Sequence, residues 1–247
     1  MLNKTSYHIK KVDDFCLRDN RWLELDWRLK ADNLIQLGEE LEKAKLYAGK
    51  KFVNKIEILL NIEIADKLSE FLCNRDFKPA LVELKFDLEK FTQSSFTISN
   101  LTFSSQIKNK NLLKNLLIDQ ANFHYQNLPD YYLSAQEINW FFYLRQICID
   151  VTKENGLFYL IKEKDELSAL ILGEYLGKTA FIWELVVSQE KRHFHLGTFL
   201  LNQYLAKLKT LGVTRVYLET MTESYARSWY KHQGFIDVRQ SWFCRLK

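Results

Sequence analysis

The chain has 247 residues, of which 47% are hydrophobic, 27% charged and 14% aromatic. This is ordinary globular material, with enough Phe, Tyr and Trp to fill a core, and it excludes disordered, fibrous and collagen-like chains. Lys and Arg number 35 against 31 Asp and Glu, a net charge of +4, too small and too evenly spread to call for a nucleic-acid partner. The most apolar stretch, residues 140–149, is interrupted by Arg145, and the N-terminus lacks an apolar leader, so a cytoplasmic protein without membrane contact is expected. Cys16, Cys73, Cys148 and Cys244 form no CxxC pair; they are expected to be buried free thiols, with no metal site.

Only eight glycines and two prolines punctuate the chain. Residues 32–47 carry Leu34, Ile35, Leu37, Leu41, Ala44 and Leu46 at roughly helical spacing, with Gly49 placed to cap the helix. Residues 55–62 read as a buried strand, 65–73 as a short amphipathic helix and 80–88 as a strand of period two. The Ser/Thr-rich stretch 91–105 marks the join between two units, near Glu89. Beyond it come a strand at 98–103 and helices at 112–125 and 134–149, the second with a Ser134…Glu137 capping box. Strands follow at 157–162, 168–175 and 179–187, the last two joined by a turn at Leu176, Gly177 and Lys178. A helix at 196–211, a strand at 216–220, a helix at 225–233 and two closing strands near 235–238 and 242–246 complete an α/β plan.

Two strand-to-helix junctions in this second half carry chemistry. In the first, Arg192-His193-Phe194-His195-Leu196-Gly197-Thr198 follows the strand end Leu185-Val186-Val187 and opens a helix. A helix N-terminus presents unpaired N–H groups and the positive end of its dipole, which suits a phosphate or diphosphate. Gly197 permits close approach, and Arg192 adds a charged donor. In the second, Ala226 and Tyr230 share a helix face that ends at Gly234-Phe235. Small Ala226 leaves room beside the helix, and the Tyr230 hydroxyl can serve as an acid. Gly173-Glu174-Tyr175-Leu176-Gly177-Lys178-Thr179 mimics a nucleotide-binding loop but is one residue short and precedes no helix, so it reads as a hairpin turn. His193 and His195 lack acidic or cysteine neighbours that would make a metal site.

The pair of segments resembles the acetyl-coenzyme A site of the GCN5-related N-acetyltransferase (GNAT) superfamily. The first motif, Gln/Arg-x-x-Gly-x-Gly/Ala, reads Arg192-His193-Phe194-His195-Leu196-Gly197, with His195 in place of the first glycine. The second, Asn-x-x-Ala-x-x-x-Tyr-x-x-x-Gly-Phe, runs from Glu223, where Asn is common, through Ala226 and Tyr230 to Gly234-Phe235. The resemblance covers residues 96–247, and the segment 55–88 resembles the tail of the same fold with Asp76-Phe77 in the Gly-Phe place. It implies a GNAT fold, a mixed central sheet flanked by helices, at 91–247, and a partial GNAT-like α/β domain at 1–90. A truncated first half joined to a complete second one is similar to bacterial acetyltransferases of nucleotide-linked 4-amino sugars.

The implied activity is transfer of an acetyl group from acetyl-CoA to a primary amine of a small molecule. In that reading Leu185, Val186 and Val187 offer backbone N–H groups to the thioester, and residues 192–198 with Glu223 and Ala226 hold the coenzyme. Tyr230 protonates the thiolate and Glu184 acts as base. Tyr125, Asp130 and Tyr132 line the acceptor pocket. Acetylation of a protein or peptide, and a non-catalytic coenzyme A-binding module, stay open as alternatives, as does a homodimer.

Overall fold

The computed structural model describes residues 6–11, 21–26, 34–50, 53, 55–93, 102–104, 155–163 and 166–246. The strands are β1 (Ser6–Lys11), β2 (Arg21–Asp26), β3 (Lys55–Asn61), β4 (Lys78–Asp87), β5 (Thr102–Ser104), β6 (Gly156–Glu163), β7 (Glu166–Leu176), β8 (Thr179–Val187), β9 (Arg215–Met221) and β10 (Ile236–Arg245). The helices are α1 (Leu34–Lys50), α2 (Ile62–Cys73), α3 (Leu196–Thr210) and α4 (Tyr225–His232). The strands form one sheet in the order β1-β2-β3-β10-β4-β9-β8-β7-β6-β5. It is mixed, as expected: β2·β3 and β8·β9 are parallel, and the rest are antiparallel.

The two halves exchange strands. β4 lies between β9 and β10, and β10 lies between β3 and β4. Their registers repeat: Val82 faces Thr220 as Gln240 faces Leu60, and Leu81 faces Met221 as Arg239 faces Asn61. Val82 and Gln240 face one another at the centre, flanked by the pairs Leu81–Ser241 and Glu83–Arg239. The series β2-α1-β3-α2-β4 therefore repeats β8-α3-β9-α4-β10 about an approximate two-fold axis between β4 and β10. Local bonds repeat as well. Val53 N donates to Ala48 O at 2.9 Å as Val213 N does to Leu208 O at 3.1 Å. Phe77 N donates to Leu72 O, and Phe235 N to Tyr230 O, both at 3.1 Å. Asp76 takes the positive φ (66°) that Gly234 takes in the second copy (95°).

Each copy has its own core on one face of the sheet. α3 buries Leu196, Leu200, Leu201, Tyr204, Leu205 and Leu208 over Val82, Leu84, Ile171, Ile182, Val216 and Leu218. α1 and α2 bury Leu37, Leu41, Leu68 and Leu72 over Ile56, Ile58, Leu60 and Trp242. Each fully buried leucine contributes about 1.5–3 kcal/mol. Tyr204 is wholly buried, and its hydroxyl has no hydrogen-bond partner. It rests where a Cβ on Gly173 would stand; such a Cβ would also collide with the Phe181 carbonyl oxygen. Gly173 is thus fixed by the packing of α3 on the β7–β8 hairpin, whose two-residue turn has Gly177 at φ 57°.

Some expectations changed. The two closing strands are one, β10, with irregular register after Asp237 and Ser241. Arg239 and Gln240 look like a break in sequence, but Arg239 pairs bidentately with Glu83, and Gln240 is buried and donates to the Thr222 hydroxyl. α1 runs past Gly49 to Lys50, and β1 and β2 were not anticipated. Cys244 is buried but Cys73 is exposed, and both are free thiols. The helices expected at 112–125 and 134–149 lie outside the described residues. No helix among the described residues is long and apolar enough to cross a membrane.

Two stability measurements follow. Glu83 is 9% exposed at its side chain and Arg239 44%, so Arg239→Ala strands a largely buried carboxylate and lowers stability to urea by about 1–3 kcal/mol. The double variant with Glu83→Leu regains most of that loss. Burial raises the Tyr204 phenol above its ordinary value. A raised phenol leaves stability intact below about pH 10, where the unfolded tyrosine is still protonated, and costs stability as pH climbs above it. Tyr204→Phe therefore raises stability at pH 7 by about 1 kcal/mol and makes the alkaline decline above pH 10 shallower in pH-resolved melts.

Candidate active site

β8 pairs with β9 only over residues 179–182, although it stays paired with β7 to its end. The parting has a local cause. Across β7, Gly173 faces Ile182 but Leu172 faces Glu184, so Trp183 is an extra residue in β8. Such a bulge bends and twists its strand, and residues 183–187 diverge from β9. Their edge toward β9 makes no ladder, which leaves main-chain N–H groups directed into the gap.

The bulge also fixes which side chains face which way. Ala180 and Ile182 belong to the core under α3, and beyond the bulge Leu185 and Val187 return to that face. Phe181 and Glu184 therefore lie on the far face. On β9, Val216 and Leu218 face the core, so Tyr217 and Glu219 share the far face, with Phe181 beside Tyr217 in register. Trp183 packs on Phe181 with ring centroids 4.5 Å apart and is 48% exposed.

On the near face, the loop after β8 leads into α3. Lys191 is paired with Glu163 of β6, which ties the loop to the sheet. His193 and His195 take positive φ (69° and 60°), His195 at the helix N-cap with left-handed geometry. The His195 side chain makes no capping hydrogen bond, and the first-turn N–H groups of a helix have no acceptor within the helix itself. Leu196 is buried and anchors the turn. A Cβ on Gly197 would touch Leu185 at 3.5 Å, Trp229 at 3.5 Å and Val187 at 3.6 Å; glycine leaves a slot between β8 and α4 that a methyl would fill. Arg192 and Thr198 are half-buried, while His193, Phe194 and His195 are exposed. The geometry fits an extended, diphosphate-bearing molecule: an anion site at the helix end, then a narrow slot, then the gap between β8 and β9.

α4 closes the other side of the slot. Its cap is Ser224, which accepts from Arg227 N at 3.2 Å, so the neighbouring Glu223 is an exposed residue outside the helix. Arg227 is held by Asp237 (2.9 Å) and the Thr222 carbonyl (3.0 Å), which fixes the helix to β10. The Asp237 carboxyl sits below its ordinary value because the hydrogen bonds from Arg227 and Lys231 outweigh its burial. Ala226 is half-buried against the core. Tyr230 is 7% exposed, wedged edge-on between Trp229 (4.8 Å) and Phe235 (5.3 Å). Burial, and then the Glu184 carboxylate, raise its phenol above the ordinary value. Tyr230 and Glu184 thus feel one another through the gap although they start on opposite faces of the sheet.

The structure brings together Glu184, Leu185, Val187, residues 192–198, Ala226 and Tyr230. Val186 is buried on the far face, and Tyr125, Asp130 and Tyr132 lie outside the described residues. Sequence reasoning missed Phe181, Trp183, Tyr217, Glu219 and the cap at Ser224. The signal for the bulge is present in residues 180–187: strict alternation would bury Glu184 with Ile182 and expose Leu185.

Residues 114–235 match the acetyltransferase (GNAT) family. The chain is similar in fold to a GCN5-related N-acetyltransferase from Sphaerobacter thermophilus, with TM-score 0.65, 10% identity, and 92% of this chain and 73% of that one covered. A functionally unknown conserved protein from Staphylococcus epidermidis gives 0.62 at 12% identity, covering 100% and 94%. A tandem GNAT protein from the clavulanic acid biosynthesis pathway gives 0.55 at 13%, covering 92% and 76%. No match was found among the curated proteins. The chain has the GNAT fold.

The left-handed angle at His195 sets a graded expectation. His195→Gly keeps the melting temperature, whereas β-branched His195→Val, which tolerates that angle poorly, costs about 1–2 kcal/mol relative to the glycine variant in thermal melts.

Proposed function

We propose that the protein transfers an acetyl group from acetyl-CoA to a primary amine of a small molecule, with a nucleotide-linked 4-amino sugar as the first acceptor to test. The observation that carries this reading is the gap between β8 and β9, which has the N-terminus of α3 at its mouth and Tyr230 and Glu184 on its two sides. The first turn of α3 and Arg192 would hold the diphosphate, and Gly197, Leu185 and Trp229 would flank the thiol arm. Acetyl-CoA supplies an activated thioester. The free N–H edge of β8 offers donors to its carbonyl oxygen. Glu184 takes one proton from the incoming ammonium, directly or through water, and returns it to solvent. Tyr230 gives its proton to the departing sulfur and regains one from the nitrogen as the amide forms, so the C–N bond made and the C–S bond broken leave no charge behind. Its raised value keeps Tyr230 protonated throughout neutral pH, the form a donor needs.

The first copy lacks these features. Leu72 stands where the second copy has Tyr230, and Leu37, in the matching turn of α1, stands where it has Gly197; both are buried. One coenzyme site per chain is therefore expected. Acetyl-CoA at about a hundred times its dissociation constant should raise stability by ~2.7 kcal/mol, with calorimetric stoichiometry near one per chain. Tyr230→Phe should lower kcat at least tenfold while keeping most of that stabilisation. Absence of any coenzyme effect on melting removes the reading.

A further inference from the structure

Tyr204 has a hydroxyl for which the packing of the core gives no reason. The residue is wholly buried, its ring edge-on to Tyr159 with centroids 6.5 Å apart, yet the hydroxyl has no hydrogen-bond partner. A phenylalanine would make the same apolar contacts without burying an unpaired polar group. Such groups are rare in folded proteins, and strain or function accounts for those that persist.

The hydroxyl stands at the start of the β8 bulge. It lies 2.5 Å from the place a Cβ on Gly173 would take, and the Phe181 carbonyl oxygen lies 2.1 Å from that same place. In a regular ladder a carbonyl lies in the plane of the sheet, and the Cβ of the facing residue stands out of it. The Phe181 carbonyl is therefore turned out of the plane toward α3, where it shares with the Tyr204 hydroxyl the volume that Gly173 leaves open. Gly173 is also where the β7–β8 register shifts, opposite Ile182, the residue before Trp183. α3 thus meets β8 on both sides of the inserted residue. Tyr204 stands beside the Phe181 carbonyl before it, and Gly197, two turns earlier on the helix, looks onto Leu185 and Val187 after it. Between these two supports the strand parts from β9.

We infer that Tyr204 is a positioning residue for the reaction: its hydroxyl, seated with the Phe181 carbonyl over Gly173, holds the β8 bulge in the shape that aims the N–H groups beyond it at the thioester carbonyl. This rests on the proposed acetyl transfer and adds a residue buried beneath the site. Loss of the hydroxyl oxygen leaves room over Gly173 into which the Phe181 carbonyl falls back, and the peptide planes that follow turn with it. A donor displaced by a fraction of an ångström from a developing oxyanion loses much of its effect.

The test compares the full chain with its Tyr204→Phe variant. Infrared difference spectra of bound acetyl-CoA, isotopically labelled at the thioester carbonyl, report the hydrogen bonds to that oxygen; they need no amine and so decide the inference whichever acceptor the protein uses. The stretch is expected to fall on binding to the unmodified chain, and at least half of that fall is expected to be lost in Tyr204→Phe. Thiol release with a TDP-linked 4-amino sugar is expected to drop about tenfold in kcat with KM for acetyl-CoA within about twofold, while the melting temperature rises by ~2–4 °C. Activity and stability then move in opposite directions, a response that a merely structural tyrosine would not give. An unchanged carbonyl stretch in Tyr204→Phe overturns the inference whatever happens to melting, as does a loss of acetyl-CoA affinity as large as the loss of kcat; in both cases the melting shift of the unmodified chain with acetyl-CoA still stands. Absence of that shift overturns the transfer reading, and the inference falls with it.

Discussion

One inserted residue governs the site. Trp183 has no counterpart across β7, and the strand that carries it leaves β9 at that point. In a fully paired interior strand the main-chain groups on both edges are spent on ladders; here residues 183–187 keep the β7 ladder, and only their groups on the β9 side stand outside one. The same bulge flips the alternation, so that Leu185 and Val187 line the slot under α3 while Glu184 turns to the opposite face. Shape, hydrogen-bond donors and the placement of a carboxylate follow from a single irregularity, which is why the site is compact although its residues come from four elements.

The sheet around the bulge is held rigidly enough for that irregularity to persist. Tyr204 and Gly173 lock α3 on the β7–β8 hairpin at the cost of an unpartnered hydroxyl, and the Lys191–Glu163 pair ties down the loop that precedes α3. Asp237 gathers Arg227 and Lys231 from α4 onto β10. The two flanks of the slot, α3 and α4, are fixed to different strands, and the gap lies between those attachments.

Much of this was legible in residue order. Strands 179–187 and 215–221 and helices 196–210 and 225–232 follow from alternation, helical spacing and glycine punctuation, and the two junction motifs carry the coenzyme expectation. What escaped has physical causes. The bulge is invisible to a period-two reading that stops at hydrophobic content; it shows only as a phase slip at Trp183 and Glu184. Strands β1 and β2 are short and charged and draw their order from pairing rather than local preference. β10 was divided because Arg239 and Gln240 are polar, and their partners Glu83 and Thr222 are far away in sequence. Glu219 and Phe181 carry no motif; only the register of β8 on β9 brings them to the same side.

The repeat within the chain shows how one half came to serve the other. The first copy keeps the strand, helix and strand frame but has the buried Leu37 and Leu72 at the positions of Gly197 and Tyr230. Its remaining contribution is β4, which fills the space between β9 and β10. That exchange bears on synthesis. About 150 residues separate Asp87, at the end of β4, from the start of β10, and at ~5–20 residues per second the ribosome needs roughly 8–30 s to produce them. Throughout that interval β3 and β4 have emerged with their facing edges unfilled, a state that invites pairing with neighbouring nascent chains. The newborn protein's need for chaperone shelter should thus rise as translation slows, since slow decoding between the two exchanged strands prolongs the exposure.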